Sequence, residues 1–381
     1  MSTYTLSAAD RAGASPFRTA EAPVRPEWED PPPPPPPKAF TGGTPPVLIP
    51  DPARNAVLAT ALDAMAPAGT PARVRLDRVA LTVVKVEPGR APLAYAGVHE
   101  HDPHFAASLL KLALLPASFD LVAAVNRLAS TLPAGADVLA AAKARFAADI
   151  GAAVPGLPYG PWRSVTYGET LAVAAPGTGP RVSLSTRHSQ ELVSIVANQG
   201  QNVGAQRCVR RLGFSYVNGS AAAGGFLDVA TRRGIWMASD FIVDGSGSGW
   251  PSFYAPVLPA GKSSLVMTTN AMAGLLVAMV RGHLVDGASS TAMRKILGQG
   301  GAWLSMTGAE GDMGFTVEGA KVGHASSGTA RVGLVKSEAA VVRRKDGAEF
   351  VAVWQNLTDG APGTDTLPVY RVIDALVRTW P

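Results

Sequence analysis

The chain has 381 residues, 47% of them hydrophobic and 17% charged, a balance that supports a buried core in one large domain or two small ones. Its net charge of +5 is scattered with no interleaved aromatic stripe, which excludes a nucleic-acid binder. The densest basic group, Arg207, Arg210 and Arg211, has the spacing of a solvated helix face, and a single cysteine, Cys208, excludes an internal disulfide framework.

Residues 1–46 are rich in Pro, Ala, Thr and Ser and carry the seven-proline run Pro31 to Pro37, which lacks backbone donors and favours polyproline II geometry. They are expected to form a disordered tail that offers a contact to a proline-binding protein module. Neither a basic leader followed by an apolar segment nor an apolar run of membrane-spanning length is visible, Ala271 to Val280 being about half of what a span needs. A soluble cytoplasmic protein without membrane contact is expected.

From Asp51 the pattern is globular, and 47–381 is expected to be a single domain. Asp51-Pro52 opens an amphipathic helix through Val57, Leu58, Leu62 and Met65, with the aspartate as N-cap. Val79 to Val86 and Leu93 to Val98 alternate as strands around the turn Glu87-Pro88-Gly89-Arg90. Helical stretches follow at Ala107 to Leu115, Phe119 to Leu128 and Val138 to Ile150, the first ended or kinked by Pro116. Gln190 to Ala197 and Val203 to Leu212 form a second helical group. Residues 213–267 have no clear period, and their Gly245-Ser246-Gly247-Ser248-Gly249 stretch lacks the strand, helix and lysine of a phosphate cradle. After helices at Asn270 to Val280 and Ser290 to Leu297 the period changes to two, with strands at Phe315 to Val322, Ala330 to Val335, Ala339 to Arg343 and Phe350 to Gln355. A last helix spans Val369 to Thr379. This order predicts an α+β fold: an antiparallel sheet of about five strands that pairs its first and last strands, with a helical part inserted at about 105–300.

Ser108 and Lys111 stand three positions apart, so on a helix they share a face. A serine nucleophile needs a base within reach, and a lysine serves when burial depresses its pKa. The apolar setting of Phe105, Leu109, Leu110, Leu112, Leu114 and Leu115 provides that burial. Two further elements follow, Gly200-Gln201-Asn202 between helices and Lys321-Val322-Gly323 on a strand.

In order and spacing these three elements resemble the Ser-x-x-Lys, Ser-Asp-Asn and Lys-Thr-Gly motifs of the class A β-lactamase and penicillin-binding protein superfamily. The resemblance covers roughly residues 50–381. It takes in Ala107 to Leu112 as the nucleophile helix, Asn202 to Gly213 after the second element, and Thr268 to Ala273 as the helix entry after the family's omega loop. It implies a β-lactamase/transpeptidase-like fold and a serine hydrolase that forms an acyl-enzyme. By position, Ser108 is acylated, Lys111 takes its proton, and Asn202 holds Lys111 and the substrate amide. Lys321 meets a substrate carboxylate, Val322 stands at the motif's threonine, and Gly323 lets the strand approach closely. The oxyanion amides are those of Ser108 and His324.

The departures are equally specific. Gly200 replaces the serine of the second element and Gln201 its aspartate. Val322 removes a hydroxyl from the third. No glutamate occurs from Val203 to Ala309, where class A β-lactamases hold their deacylation base; Asp228, Asp240 and Asp244 lie nearby without a matching pattern. Acylation of an amide, lactam or ester carrying a carboxylate is therefore expected, with slow deacylation and doubtful lactam turnover. The alternative is a binding protein on the same fold without activity. His99, His101 and His104 beside Glu100 and Asp102 suggest a metal-dependent enzyme as a third reading, but no second ligand group of recognisable spacing follows. The expected ligand is a small-molecule or peptide-like substrate, with no cofactor and no metal. Neither a Gly-x-Ser-x-Gly elbow nor a zinc-helix motif is present.

Overall fold

In the computed structural model, residues 38–41, 45–89, 91–175, 181–198, 201–241, 250–257, 261–326, 334–358 and 366–381 are described. Most of the expected tail, the seven-proline run and Gly200 lie outside them. The packed chain nevertheless starts ahead of residue 47. Ala39 is fully buried, its N–H donates to Asp149 Oδ2 at 3.1 Å, and its carbonyl accepts from Tyr216 Oη at 3.1 Å. Phe40 stacks on Tyr216 with ring centroids 5.2 Å apart, and Thr41 N donates to Asp120 Oδ1 at 2.8 Å. The buried Asp120, the half-buried Asp149 and an aromatic pair thus anchor a segment whose composition resembles a spacer.

Leu48–Pro50 forms β1, and Pro52–Met65 forms α1. The Asp51 carboxylate caps α1 by accepting from Ala53 N at 2.9 Å and Arg54 N at 3.2 Å. The hairpin follows as β2 (Ala80–Val86) and β3 (Leu93–Val98). A 3-10 helix, Ala107–Ala113, runs directly into α2 (Leu114–Ala129). Pro116 does not end this helix. It falls in the first turn of α2, where a missing N–H costs nothing, and the change of winding occurs at Leu114 instead. By length and composition Ala107–Ala129 could cross a membrane, but 78% of its apolar window is buried inside the protein.

The helical part continues with α3 (Val138–Ala152), α4 (Thr186–Ala197), α5 (Asn202–Leu212), α6 (Phe214–Ala223), α7 (Thr269–Val280) and α8 (Gly287–Leu297). Helix α6 has no counterpart in the sequence reading. Its residues Phe214 to Gly219 are all buried, so it shows no polar face and no amphipathic period. Gly213 makes the corner between α5 and α6 at φ 76°, and a Cβ there would stand 2.6 Å from the Ser164 carbonyl oxygen.

The chain returns to the sheet as β4 (Phe315–Ser326), β5 (Leu334–Arg344) and β6 (Glu349–Thr358), and ends in α9 (Leu367–Thr379). The strand order is β1-β3-β2-β6-β5-β4. Five strands are antiparallel, and the first and last of these in sequence, β2 and β6, are central neighbours. The short β1 adds a parallel edge to β3. The expected strand Ala339 to Arg343 lies within β5, which also takes in the last two residues of the expected strand Ala330 to Val335; residues 330–333 of that expectation lie outside the described residues. The buried polar run Lys336-Ser337-Glu338 broke the alternation, and the pairing with β6 slips at that point. The result is an α+β fold in three layers. One core packs α1 and α9 on one face of the sheet, with Leu58, Trp354, Tyr370 and Leu376; the other packs the helical part on the opposite face.

Candidate active site

The site forms where β4 meets the start of the 3-10 helix. Ala107 has φ 49°, a conformation that costs a non-glycine residue about 1–3 kcal/mol, and it turns the chain so that Ser108 stands at the head of the helix. Ser108 is half-buried, whereas Lys111 is fully buried. The helix here is 3-10, with three residues per turn, so residues 108 and 111 are eclipsed on one face more directly than in an α-helix.

Lys111 Nζ donates to Asn202 Oδ1 at 2.8 Å, from the first residue of α5. Burial, and then the positive charge of Lys321, lower the Lys111 pKa to about 7. Such an amine is a competent proton acceptor near neutrality. Lys321 is also buried, its pKa is lowered by burial to about 8, and its Nζ has no hydrogen-bond partner among the described residues. A buried cation without a partner is costly unless a ligand supplies the counter-charge.

Lys321, Gly319 and Gly323 share the β4 face that meets the helical part. At Gly323 a Cβ would stand 2.4 Å from Ser337 Oγ, 2.7 Å from the Ala106 carbonyl oxygen and 3.1 Å from Leu109 N, so only glycine lets β4 lie against the backbone flanking Ser108. Val322 points the other way and is buried in the core with Leu304 and Val369, presenting no side chain to the site. His324 is exposed, its ring edge-on to Trp303 at 5.6 Å.

The structure therefore brings Ser108, Lys111, Asn202, Lys321 and Gly323 to one locus. Behind it lies a group the sequence gave no reason to single out. Glu338 is buried, accepts from Tyr370 Oη at 2.5 Å and Trp303 N at 2.7 Å, and has its pKa raised by burial to about 7. Phe241 also escaped notice, since an isolated aromatic in an aperiodic loop carries no motif. Its ring centroid lies 5.5 Å from Lys111 Nζ.

The histidines do not converge. His99 pairs with Asp102 at 3.3 Å, His101 is exposed, and His104 is buried, with both ring nitrogens unpartnered among the described residues and its pKa lowered to about 4, chiefly by burial. Among the described residues, the one group whose ligand atoms cluster is His188, Glu191 and Cys208. Arg211 fits this cluster as its cation, since it pairs with Glu191 and lies 3.4 Å from His188 Nδ1. Arg211 is thus buried rather than solvated, because that side of α5 packs on α4.

No family model and no curated protein matches the chain by sequence. Among solved structures it is similar to the TLA-3 extended-spectrum β-lactamase, at 13% identity and a TM-score of 0.50, over 85% of this chain and 97% of that one. A β-lactamase from Sphaerobacter thermophilus also aligns, at 16% identity and a TM-score of 0.45, over 86% and 99%. The likeness shows a β-lactamase fold.

Proposed function

We propose that the protein is a serine acyl-transfer enzyme that forms an acyl-enzyme at Ser108 with an amide, lactam or ester bearing a carboxylate. The observation that carries this reading is the fully buried Lys111, eclipsed with Ser108, held by Asn202 and brought to a pKa of about 7. Neutral Lys111 takes the Ser108 hydroxyl proton as Oγ bonds to the substrate carbonyl carbon. The tetrahedral oxyanion then collapses, the bond to the leaving group breaks, and that group takes the proton back from Lys111, departing from an ester or amide and staying tethered in an opened lactam. The unpartnered Lys321 ammonium accounts for the carboxylate preference. The backbone amides of Ser108 and His324 are assigned to the oxyanion.

Gel labelling by a fluorescent penicillin and by a fluorophosphonate tests the assignment. Wild type is expected to label and Ser108→Ala to remain dark. Equal labelling of both, or none at millimolar reagent, contradicts it. A binding protein without activity is the second reading, favoured by Val322, whose side chain is turned into the core and offers a substrate no hydroxyl. It predicts reversible binding of the same carboxylates with no covalent adduct.

A further inference from the structure

Hydrolysis of an acyl-enzyme requires a water oxygen to bond to the acyl carbon, one water proton to pass to a base, and Ser108 Oγ to leave and regain a proton. Lys111 is the base that shares the helix face of Ser108, and the surroundings of its Nζ decide whether such a water can be served. Asn202 Oδ1 takes one side at 2.8 Å, the Phe241 ring lies over another at 5.5 Å, and the side chain has no solvent exposure.

The chain holds Phe241 there deliberately enough to accept a strained backbone. Phe241 is 7% exposed at φ 66°, a conformation costly for a bulky residue. The neighbouring Asp240, the carboxylate closest in sequence, faces away. Its Oδ2 accepts from Arg210 at 2.8 Å and 3.1 Å, from Gln206 Nε2 at 3.2 Å and from Trp250 N at 3.0 Å. Trp250 is in turn set edge-on to Phe214 at 5.2 Å. This clasp commits the acid to the α5 side and presents the phenyl ring to Lys111.

We infer that Phe241 is a positioning residue that excludes hydrolytic water from Lys111, so that the protein keeps its acyl group and acts as a covalent acyl acceptor with a long-lived adduct. The inference rests on the Ser108 reading above and adds what happens after acylation. An aromatic ring cannot accept the water proton, and this ring stands over a fully buried Nζ that a hydrolytic water would have to approach. Removing the ring while leaving the clasp intact opens that space, and the backbone at 241 favours glycine.

The test follows decay of the preformed adduct. Full-length wild type, Phe241→Gly, Phe241→Asn and Phe241→Leu are labelled with a fluorescent penicillin, freed of reagent and sampled over a day by gel fluorescence. A wild-type adduct lasting hours, at least tenfold faster loss in Phe241→Gly or Phe241→Asn, and a wild-type lifetime in Phe241→Leu support the inference. Asparagine tolerates the same backbone, so a glycine variant that folds poorly does not remove the readout. A wild-type adduct lost within minutes, or equal lifetimes in all four proteins, overturns the inference and leaves the Ser108 assignment standing. No adduct in any of them overturns both.

Discussion

Lys111 and Lys321 lie in one buried interface, and the pKa of Lys111 is partly set by its neighbour's charge. Only the neutral amine can accept the serine proton, so acylation by a fluorophosphonate, which needs no carboxylate subsite, is expected to rise with pH through about 7 and level off above it. In Lys321→Met the repelling charge is gone, the Lys111 pKa climbs, and the inflection moves to higher pH. A flat profile from pH 6 to 9, or an unmoved inflection in the variant, contradicts this. Gly323→Ala is expected to abolish acylation and to lower stability by about 1–3 kcal/mol in urea unfolding, because its methyl would meet backbone that cannot yield. At this scale the sequence was informative about motif residues and silent about their environment. Ser108 and Lys111 stood out by their spacing, and Asn202, Lys321 and Gly323 by the resemblance to family motifs. Phe241 and Glu338 did not, since a close approach between distant segments leaves no trace in either segment alone. Val322 holds the middle place of the third element, yet strand alternation turns its side chain into the opposite core.

The elements with strong caps and clear periods were legible nearly to the residue. The Asp51-Pro52 signal opens α1 as expected, and Asp51→Ala should cost about 1 kcal/mol, read as a lowered urea midpoint with unchanged slope. An unchanged midpoint contradicts the role of the cap. The elements that escaped share a physical cause, the burial of their polar or Gly/Ala-rich surfaces. Helix α6 has no solvated face, and β5 buries Lys336, Ser337 and Glu338 where alternation would place apolar residues. The 3-10 winding of Ala107–Ala113 is set by Ala107's turn and by contact with β4, both of which are tertiary.

For the molecule as a whole, the lowered lysine pKa values couple stability to pH. Each lysine titrates near 10.5 when unfolded but near 7 (Lys111) or 8 (Lys321) when folded, so unfolding takes up protons between these values and stability rises with pH. The melting temperature is therefore expected to increase from pH 7 to 9. Lys321→Met should raise it at pH 7 and flatten the slope, while abolishing recognition of carboxylate-bearing ligands. A melting temperature that falls over this range, or a destabilised Lys321→Met, contradicts the account. The three-layer order was legible from the switch from helical to strand period, whereas the parallel β1 and the anchored Ala39-Phe40 segment were hidden in proline-rich sequence that lacks any period.

The central claim concerns one covalent bond, to Ser108 Oγ. Peptide mapping by mass spectrometry after incubation with benzylpenicillin should find a single adduct, of the mass of the intact drug, on the peptide containing Ser108 and nowhere else. An adduct on any other residue, or an unmodified chain after prolonged exposure, would contradict it.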